Sequence, residues 1–464
     1  MTDARYDMKT TFPGRVTIIG AARSGIAAAQ YFAARRVDVL LSDTCSTGKM
    51  EKTVAENALN GIRWEAQVHS DAVLDADLIV LSPGVPSDIP ILIKAREHSI
   101  PVWSEMELGF RVSSAPFLAV TGSTGKSTTV SLTGAALSAA GIGNVVAGNI
   151  GLPVIAEVPK VAAGGFVVAE VSSFQLETID RFKPEAAAVL NLMKNHLDRY
   201  ASEEAYYTAK KAIARNLTPG EHLVVNANDP LLRAWGASMA HQTRIVYFGG
   251  DIDGNDSFWC DRTVLRYRLD GTAGVIGDLT AMKLRGSHNH DNAAVAAALA
   301  KLAGAPDEKI LQGLCSFPGL PHRLEYIAGN NGVAWYNDSK STTAESIDCA
   351  VRAFPAGVHL IAGGKDKGCD FSVVSEAVSR FVKSVVLIGE ATERIAAEWD
   401  GLAPIVRART LEEAIAAAAV KAIPGEAVVF SPGCSSFDMF RNYEDRGDRF
   451  REIVLRQIGA DNHE

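Results

Sequence analysis

Residues 120–129 read VTGSTGKSTT, the densest run of phosphate-binding chemistry in this 464-residue sequence. A Gly-Lys-Ser sequence between a strand-like segment (FLAVTG, 117–122) and a helix-like one can grip an anion. Free N–H groups at the start of a helix point at the anion, and the helix dipole favours it. Lys126 adds a cation for outer phosphates, and the Ser127 hydroxyl can ligate Mg2+. The common loop, G-x-x-x-x-G-K-[ST], would place its first glycine at position 120, which here is Val120. Gly122 and Gly125 supply the tight turn instead. The candidate phosphate-binding run is therefore Gly122, Ser123, Thr124, Gly125, Lys126, Ser127 and Thr128.

Other residues suit metal and phosphate chemistry. Glu170 ends the apolar segment FVVAE, where a carboxylate is costly to bury unless it is paired or on a metal. NHLDRY (195–200) follows another strand-like run and offers His196 and Asp198. Lys210 lies in YYTAKKAIARN, an amphipathic helix whose periodicity alone makes it a solvated lysine. Near the N-terminus GAARSG (20–25) stands where a dinucleotide fingerprint belongs, but its middle glycine is Ala22. Asp43 ends the next strand-like run, where a ribose-binding acid would sit. The residues leave two readings open there, a nucleotide site or a plain strand–helix turn whose glycines serve packing.

Positioning these groups requires strands and helices in alternation. RVTIIG (15–20), DVLLSD (38–43) and ADLIVLSPGVP (76–86) punctuate a first unit; FLAVTG, FVVAEVS (166–172) and AAAVLNL (186–192) a second; GVAWYND (332–338), HLIAGG (359–364), SVVLIG (384–389) and EAVVFSPG (426–433) a third. A more β-rich stretch (243–285) and a helix, HNHDNAAVAAALAKLAG (288–304), close the second unit. FPGLPH (317–322), with two prolines and a glycine, reads as a linker. The expected fold is α/β in three domains. These are an N-terminal Rossmann-like domain (1–104), a central P-loop ATPase-like domain with a mostly parallel sheet (105–319), and a C-terminal Rossmann-like domain (320–464).

Composition narrows the classes. The sequence is 47% hydrophobic and 22% charged with a net charge of -8, ordinary for a globular protein. No long basic run supports nucleic-acid binding, and no apolar run reaches the roughly 18 residues of a membrane helix. The N-terminal residues lack the apolar core of a signal peptide, so the cytoplasm is the expected compartment. Six cysteines without C-x-x-C spacing argue against a zinc site and a disulfide framework.

TGSTGKSTT, NHLDRY, HNHDN, GLPHRLE and NDSKSTT (337–343), in this order and at these separations, resemble the Mur ligases, ATP-dependent amide-forming enzymes of peptidoglycan synthesis. That family's loop is the short T-G-x-x-G-K-[ST] form, so the displaced glycine is a feature of a complete loop of another type. Within the family, SPGCSSFDMFRNYEDRGDRF (431–450), GNIGLP (148–153) and EVSSFQLE (170–177) are similar to the branch that adds D-glutamate. The resemblance implies three substrates (ATP, UDP-N-acetylmuramoyl-L-alanine and D-glutamate), Mg2+, and a monomer. It implies that Arg23, Ser24, Asp43, Thr44 and Gly84 lie near the UDP end and Asn149 near the muramoyl portion. Lys126 would hold phosphates, while Ser127, Glu170 and His196 would serve the metals. Asn289 and Asn292 would lie near the adenine, with Arg323 and Asp338 closing over the nucleotide. Lys340, Thr342, Lys367, Ser436, Phe437 and Tyr443 would receive D-glutamate. It also implies a carbamylated lysine on the helix after H-x-D-R-Y, matched by Lys210 with Lys211 as the rival, which reverses the solvated reading.

Ser123-Thr124 stands where the family commonly has Thr-Asn, a polar-for-polar change. GGKDKGCDF differs from the usual wording, leaving Lys365 as a rival to Lys367. Phosphorylating a carboxylate gives it a leaving group, and positioning plus charge stabilisation then suffices for amide formation. Nothing in this inventory calls for a Ser-His-Asp or Cys-His set. The rival readings are a Mur-type ligase for another amino acid, a nucleotide-hydrolysing module without ligase activity, and a dinucleotide-dependent oxidoreductase built on the first domain. Ala22 and the ATP loop speak against the last.

Overall fold

The computed structural model describes Met8 and residues 12–194, 199–354 and 357–457. Its first sheet holds β1 (Arg15–Ile19), β2 (Asp38–Asp43), β3 (Arg63–Ala66), β4 (Leu78–Leu81) and β5 (Val102–Ser104), all parallel, in the order β3-β2-β1-β4-β5. The Val, Ile and Leu runs of β1 and β4 are buried because helices cover both faces of a parallel sheet. The helix Arg23–Ala33 buries Ala28, Ala29 and Phe32 on this sheet. The strand order reverses between β1 and β4, which opens a crevice at their carboxyl ends.

The second sheet holds β6 (Phe117–Thr121), β7 (Asn144–Gly148), β8 (Phe166–Glu170), β9 (Ala186–Val189), β10 (His222–Asn226), β11 (Arg244–Phe248), β12 (Asp256–Asp261), β13 (Val264–Leu269) and β14 (Thr272–Asp278). Their order is β14-β13-β12-β11-β10-β9-β6-β8-β7, parallel from β7 to β12 and antiparallel beyond. The strand expected over 186–192 stops at Val189, because the next residues turn to bond the phosphate loop. The helix His288–Leu302 buries Ala293 to Ala300 completely, as an alanine-rich helix apolar on every face must be.

The third sheet holds β15 (Glu325–Asn330), β16 (Val333–Asn337), β17 (Val358–Gly363), β18 (Val382–Ile388), β19 (Ile405–Arg407) and β20 (Ala427–Phe430), ordered β15-β16-β20-β17-β18-β19 with only β15 antiparallel among these described strands. Three mixed α/β domains with mostly parallel sheets result. Two compact units contain them. One runs to Ala281 and adds His290–Ser316, carrying the first two sheets; the other comprises Met282–Asn289 and the chain from Phe317.

The first two sheets are locked together by the helix Glu105–Val112. The Glu107 carboxylate is fully buried and accepts the backbone N–H groups of Asp180, Arg181 and Phe182 at 2.9–3.0 Å and Arg111 Nε at 2.6 Å. Arg111 in turn lies 3.9 Å from the Trp103 ring centroid and bonds Asp180. Glu105 accepts Ile155 N at 2.7 Å, and burial pushes its carboxyl up to about 7.

Gly25 shows how tightly the first strand–helix turn is built. A Cβ there would stand 1.8 Å from the Gly20 carbonyl oxygen, whereas one on Gly48, in the helix Thr47–Glu56, would meet nothing within 4 Å. Gly25→Ala is therefore expected to cost about 1–3 kcal/mol and Gly48→Ala to be neutral or gain up to about 1 kcal/mol. Urea midpoints of the two variants against the parent chain check this.

Candidate active site

The phosphate loop joins β6 to the helix Lys126–Ala139, and its two glycines are geometrically obligatory. Gly122 has φ +151° and Gly125 φ +82°. A Cβ on Gly125 would stand 2.6 Å from Asn292 Oδ1 and 3.1 Å from Leu190 Cδ1; one on Gly122 would stand 3.0 Å from Leu190 Cβ. Asn191, just past β9, holds the loop. Its Oδ1 accepts from Ser123 N and Thr124 N at 3.0 and 2.9 Å, and its Nδ2 donates to the Thr124 carbonyl at 3.3 Å. Ser123 Oγ donates to the Met193 carbonyl at 3.0 Å and accepts Met193 N at 2.9 Å. Sequence reasoning missed Asn191; the available signal was a polar residue directly after an apolar strand beside the loop. Asn292 Oδ1 accepts Thr129 Oγ1 at 3.2 Å, so Asn292 packs at the loop, while Asn289 Nδ2 donates to the Arg285 carbonyl at 2.6 Å.

Charge gathers at the same place. Lys126 Nζ donates to the carbonyls of Gly122 (2.9 Å) and Ser123 (3.1 Å), and Lys210 Nζ donates to the same Gly122 carbonyl at 2.9 Å. Lys210 is only 2% exposed, which overturns the solvated reading of its helix. The helix Glu203–Lys211 turns Tyr206 and Lys210, one turn apart, inward; the ammonium lies 4.6 Å from the Tyr206 ring centroid. Burial, with help from Lys126 and against the pull of Glu170, draws the Lys210 amine down to about 7. Lys211 instead lies 5.6 Å from the Trp235 ring centroid.

Glu170 ends β8 opposite Val120 of β6 and is 2% exposed. Its Oε1 accepts Asn149 Nδ2 at 2.6 Å, and its buried Oε2 has no hydrogen-bond partner among the described residues. Ser127 is buried at the first turn of the helix after the loop, and Thr128 is half-buried. An orphaned carboxylate oxygen and a hydroxyl at a phosphate loop are hard oxygen donors of the kind Mg2+ takes, one or two from protein and the rest from phosphate and water. Among the described residues no three His, Cys, Asp or Glu side chains cluster as a metal site; His196 and Asp198 lie outside those residues.

In the first domain the loops after β1, β2 and β4 border the crevice. Asp43 accepts Ala21 N at 2.6 Å and Cys45 N at 2.8 Å. Burial raises its carboxyl, but those donors and Lys49 together hold it below the usual range. Ala22 has φ -90°, so no glycine is needed there. Arg23, Thr44 and Gly84 are exposed around this turn, and Ser24 is half-buried.

In the third domain, loops at the carboxyl ends of β16, β20 and β17 carry the remaining candidates. Asp338 is 7% exposed and accepts Ser431 Oγ at 2.8 Å, Leu324 N at 3.1 Å and the Ser341 hydroxyl. Burial pushes its carboxyl up to about 6 against these bonds and the nearby half-buried Arg323. Lys340 Nζ sits 5.1 Å from the Tyr443 ring centroid, and Thr342 is half-buried nearby in sequence. Ser436 is buried, Phe437 exposed. Lys365 Nζ pairs with Glu390 at 2.5 Å, whereas Lys367 is exposed. Arg446, buried and unanticipated, ties two of these loops: Nε and Nη2 bond Ser339 Oγ and O at 3.0 and 2.7 Å, and Nη1 bonds the Cys434 carbonyl at 3.0 Å.

Comparison with known proteins places these features in a family. Residues 14–104 match the family model of the Mur ligase MurD-like N-terminal domain, 120–300 the Mur ligase middle domain, and 322–434 the Mur ligase glutamate ligase domain. The chain is 40% identical over 96% of its length to a protein of Acidobacterium capsulatum (97% covered) and to one of Geotalea daltonii (98% covered), both named UDP-N-acetylmuramoylalanine–D-glutamate ligase. Its fold is similar to a MurF ligase of Thermotoga maritima in complex with ADP (TM-score 0.59, 15% identity, 91% of this chain and 95% of that one). It is also similar to a UDP-N-acetylmuramate-alanine ligase of Thermotoga maritima (TM-score 0.57, 18% identity, 95% and 99%).

The Lys210 environment generates a pH prediction. Its folded-state value of about 7 lies below the ordinary lysine value, so burial costs stability below about pH 7 and the cost fades as pH rises toward the unfolded value. In bicarbonate-free buffer, cyanate labelling of Lys210 should rise through about pH 7 and level off, while exposed lysines keep gaining toward about 10.4. Peptide mass mapping reads both. Asn191→Ala should weaken Mg-ATP binding about tenfold, measured by calorimetry, because two loop N–H groups lose their acceptor.

Proposed function

The chain belongs to the Mur ligase family, and from that premise we propose that it is an ATP-dependent ligase adding D-glutamate to UDP-N-acetylmuramoyl-L-alanine in the making of peptidoglycan precursors. The observation that carries the reading is the convergence of Lys126, Lys210 and Glu170 on a phosphate loop. It occurs in a chain alike over 95–96% of its length to relatives that bear that enzyme's name.

The chemistry follows from the groups available. A carboxylate is a poor acyl donor because oxide is a poor leaving group. The terminal carboxylate oxygen of the L-alanyl substrate attacks the γ-phosphorus of ATP, ADP leaves, and an acyl phosphate results. The amine of D-glutamate then attacks the acyl carbon, loses a proton, and expels inorganic phosphate as the amide forms. Lys126, on a loop whose path Asn191 fixes, would hold the phosphates and offset charge on the transferring group. Ser127 and Glu170 would hold Mg2+, and the family resemblance would add His196; the cation would neutralise phosphate charge.

Lys210, with its amine drawn to about 7, is suited to react with carbon dioxide at neutral pH, since the uncharged amine is the nucleophile. The carbamate would be an anion beside Lys126. We assign the first-domain residues Arg23, Ser24, Asp43, Thr44 and Gly84 to the UDP portion and Asn149 to the muramoyl portion. Lys340, Thr342, Lys367, Ser436, Phe437 and Tyr443 are assigned to D-glutamate, whose two carboxylates call for cationic and hydroxyl partners.

Offered UDP-N-acetylmuramoyl-L-alanine, Mg-ATP and a panel of amino acids, the protein should release phosphate and lengthen the substrate with D-glutamate. ADP formation without a lengthened product would overturn the reading. Lys126→Ala should lower kcat by about 10²–10³ while binding of the UDP substrate persists, by steady-state kinetics and calorimetry. Lys340→Ala should raise KM for D-glutamate about tenfold or more, with KM for ATP within about twofold.

A further inference from the structure

Arg199, which falls in NHLDRY and received no role from the sequence, joins the first two domains. Its Nη1 donates to the Pro83 carbonyl at 3.0 Å, and its Nη2 to the Val85 carbonyl at 3.3 Å and to Glu177 Oε2 at 3.2 Å. The guanidinium carbon lies 3.9 Å from the Phe174 ring centroid. Glu177 is itself held, since its Oε1 accepts Tyr200 Oη at 2.6 Å, and the Phe174 and Tyr200 rings stack with centroids 5.9 Å apart. Phe174 belongs to the short helix Ser173–Leu176, closed by a reciprocal Ser172–Gln175 cap, which begins three residues after Glu170. One side chain thus connects the SPGVP turn of the first domain to the segment that carries the Glu170 carboxylate.

Two features give this contact a direction. The carbonyls of Pro83 and Val85 flank Gly84, the residue assigned above to the UDP portion. In a trans peptide the C=O and the following N–H point opposite ways, so pinning the Pro83 carbonyl on Arg199 turns the Gly84 N–H away from the central domain. Gly84 is exposed, and a Cβ there would meet nothing within 4 Å, so a ligand has room to approach the turn at this residue. A planar guanidinium can serve two carbonyls, a carboxylate and a ring face at once; a lysine ammonium cannot.

We propose that Arg199 is a positioning residue for the UDP substrate: it sets the Gly84 turn in register with the phosphate loop, so that the nucleotide anchored in the first domain presents its carboxylate to the ATP site. This rests on the functional reading above. Arg199 touches no reacting atom in this assignment and acts through Gly84.

Steady-state kinetics and calorimetry on the full chain test it, with Arg199→Lys, Arg199→Ala and Glu177→Gln as variants. KM and the directly measured Kd for UDP-N-acetylmuramoyl-L-alanine should rise about tenfold in Arg199→Lys and more in Arg199→Ala. KM for ATP and for D-glutamate should stay within about twofold. Glu177→Gln, which keeps an acceptor but loses the charge, should shift the same constant in the same direction by less. A purely structural role would instead lower the unfolding temperature and the active fraction with all three constants unchanged or moved together, and that result overturns the proposal. Should Arg199→Ala fail to fold, Arg199→Lys and Glu177→Gln decide by the same criterion. If the parent chain binds the UDP substrate but makes no product, the functional reading fails and the calorimetric arm still judges Arg199. If the parent chain does not bind it, both fall.

Discussion

Two ammonium groups end on one carbonyl oxygen. Lys126 and Lys210 both donate to the Gly122 carbonyl, and Glu170 offsets only part of the resulting charge. Burial away from water and a neighbouring like charge both disfavour an ammonium group. Burial first, and the Lys126 charge second, draw the Lys210 amine down to about 7. A polyphosphate bound there would bring the negative charge that two lysines beside one carbonyl favour.

The three sheets apply the same rule to different ligand chemistries. In each, parallel strands deliver side chains and turns to their carboxyl ends, where helix starts and strand-order reversals leave a crevice. The first sheet puts an Asp43 carboxylate braced by backbone N–H groups there, the second a phosphate loop with buried lysine and glutamate, the third a buried Asp338 with lysines and serines around it. Buried arginines then fix the loops to one another, Arg111 between the first and second sheets and Arg446 within the third. Planar guanidinium groups suit this because each meets several acceptors at once, two carboxylates for Arg111 and two carbonyls and a hydroxyl for Arg446.

The sequence made the strand–helix alternation legible because buried parallel strands are short apolar runs that stand out from amphipathic helices. The loop was legible because Gly122 and Gly125 must adopt positive φ, a demand that leaves glycine in the sequence itself. Lys210 was not legible from its helix, since periodicity records which face is apolar on average and says nothing of a cation turned against a carbonyl; only the resemblance pointed to it. Asn191, Arg199 and Arg446 were missed for a related reason. Most of their partners are main-chain carbonyls and N–H groups elsewhere in the chain, which carry no side-chain signature.

That choice of partners has an evolutionary corollary. A guanidinium that reads only the backbone trace of Pro83 and Val85 is indifferent to what those positions display outward. This contact therefore tolerates a change of side chain at either position so long as the path of the turn is kept.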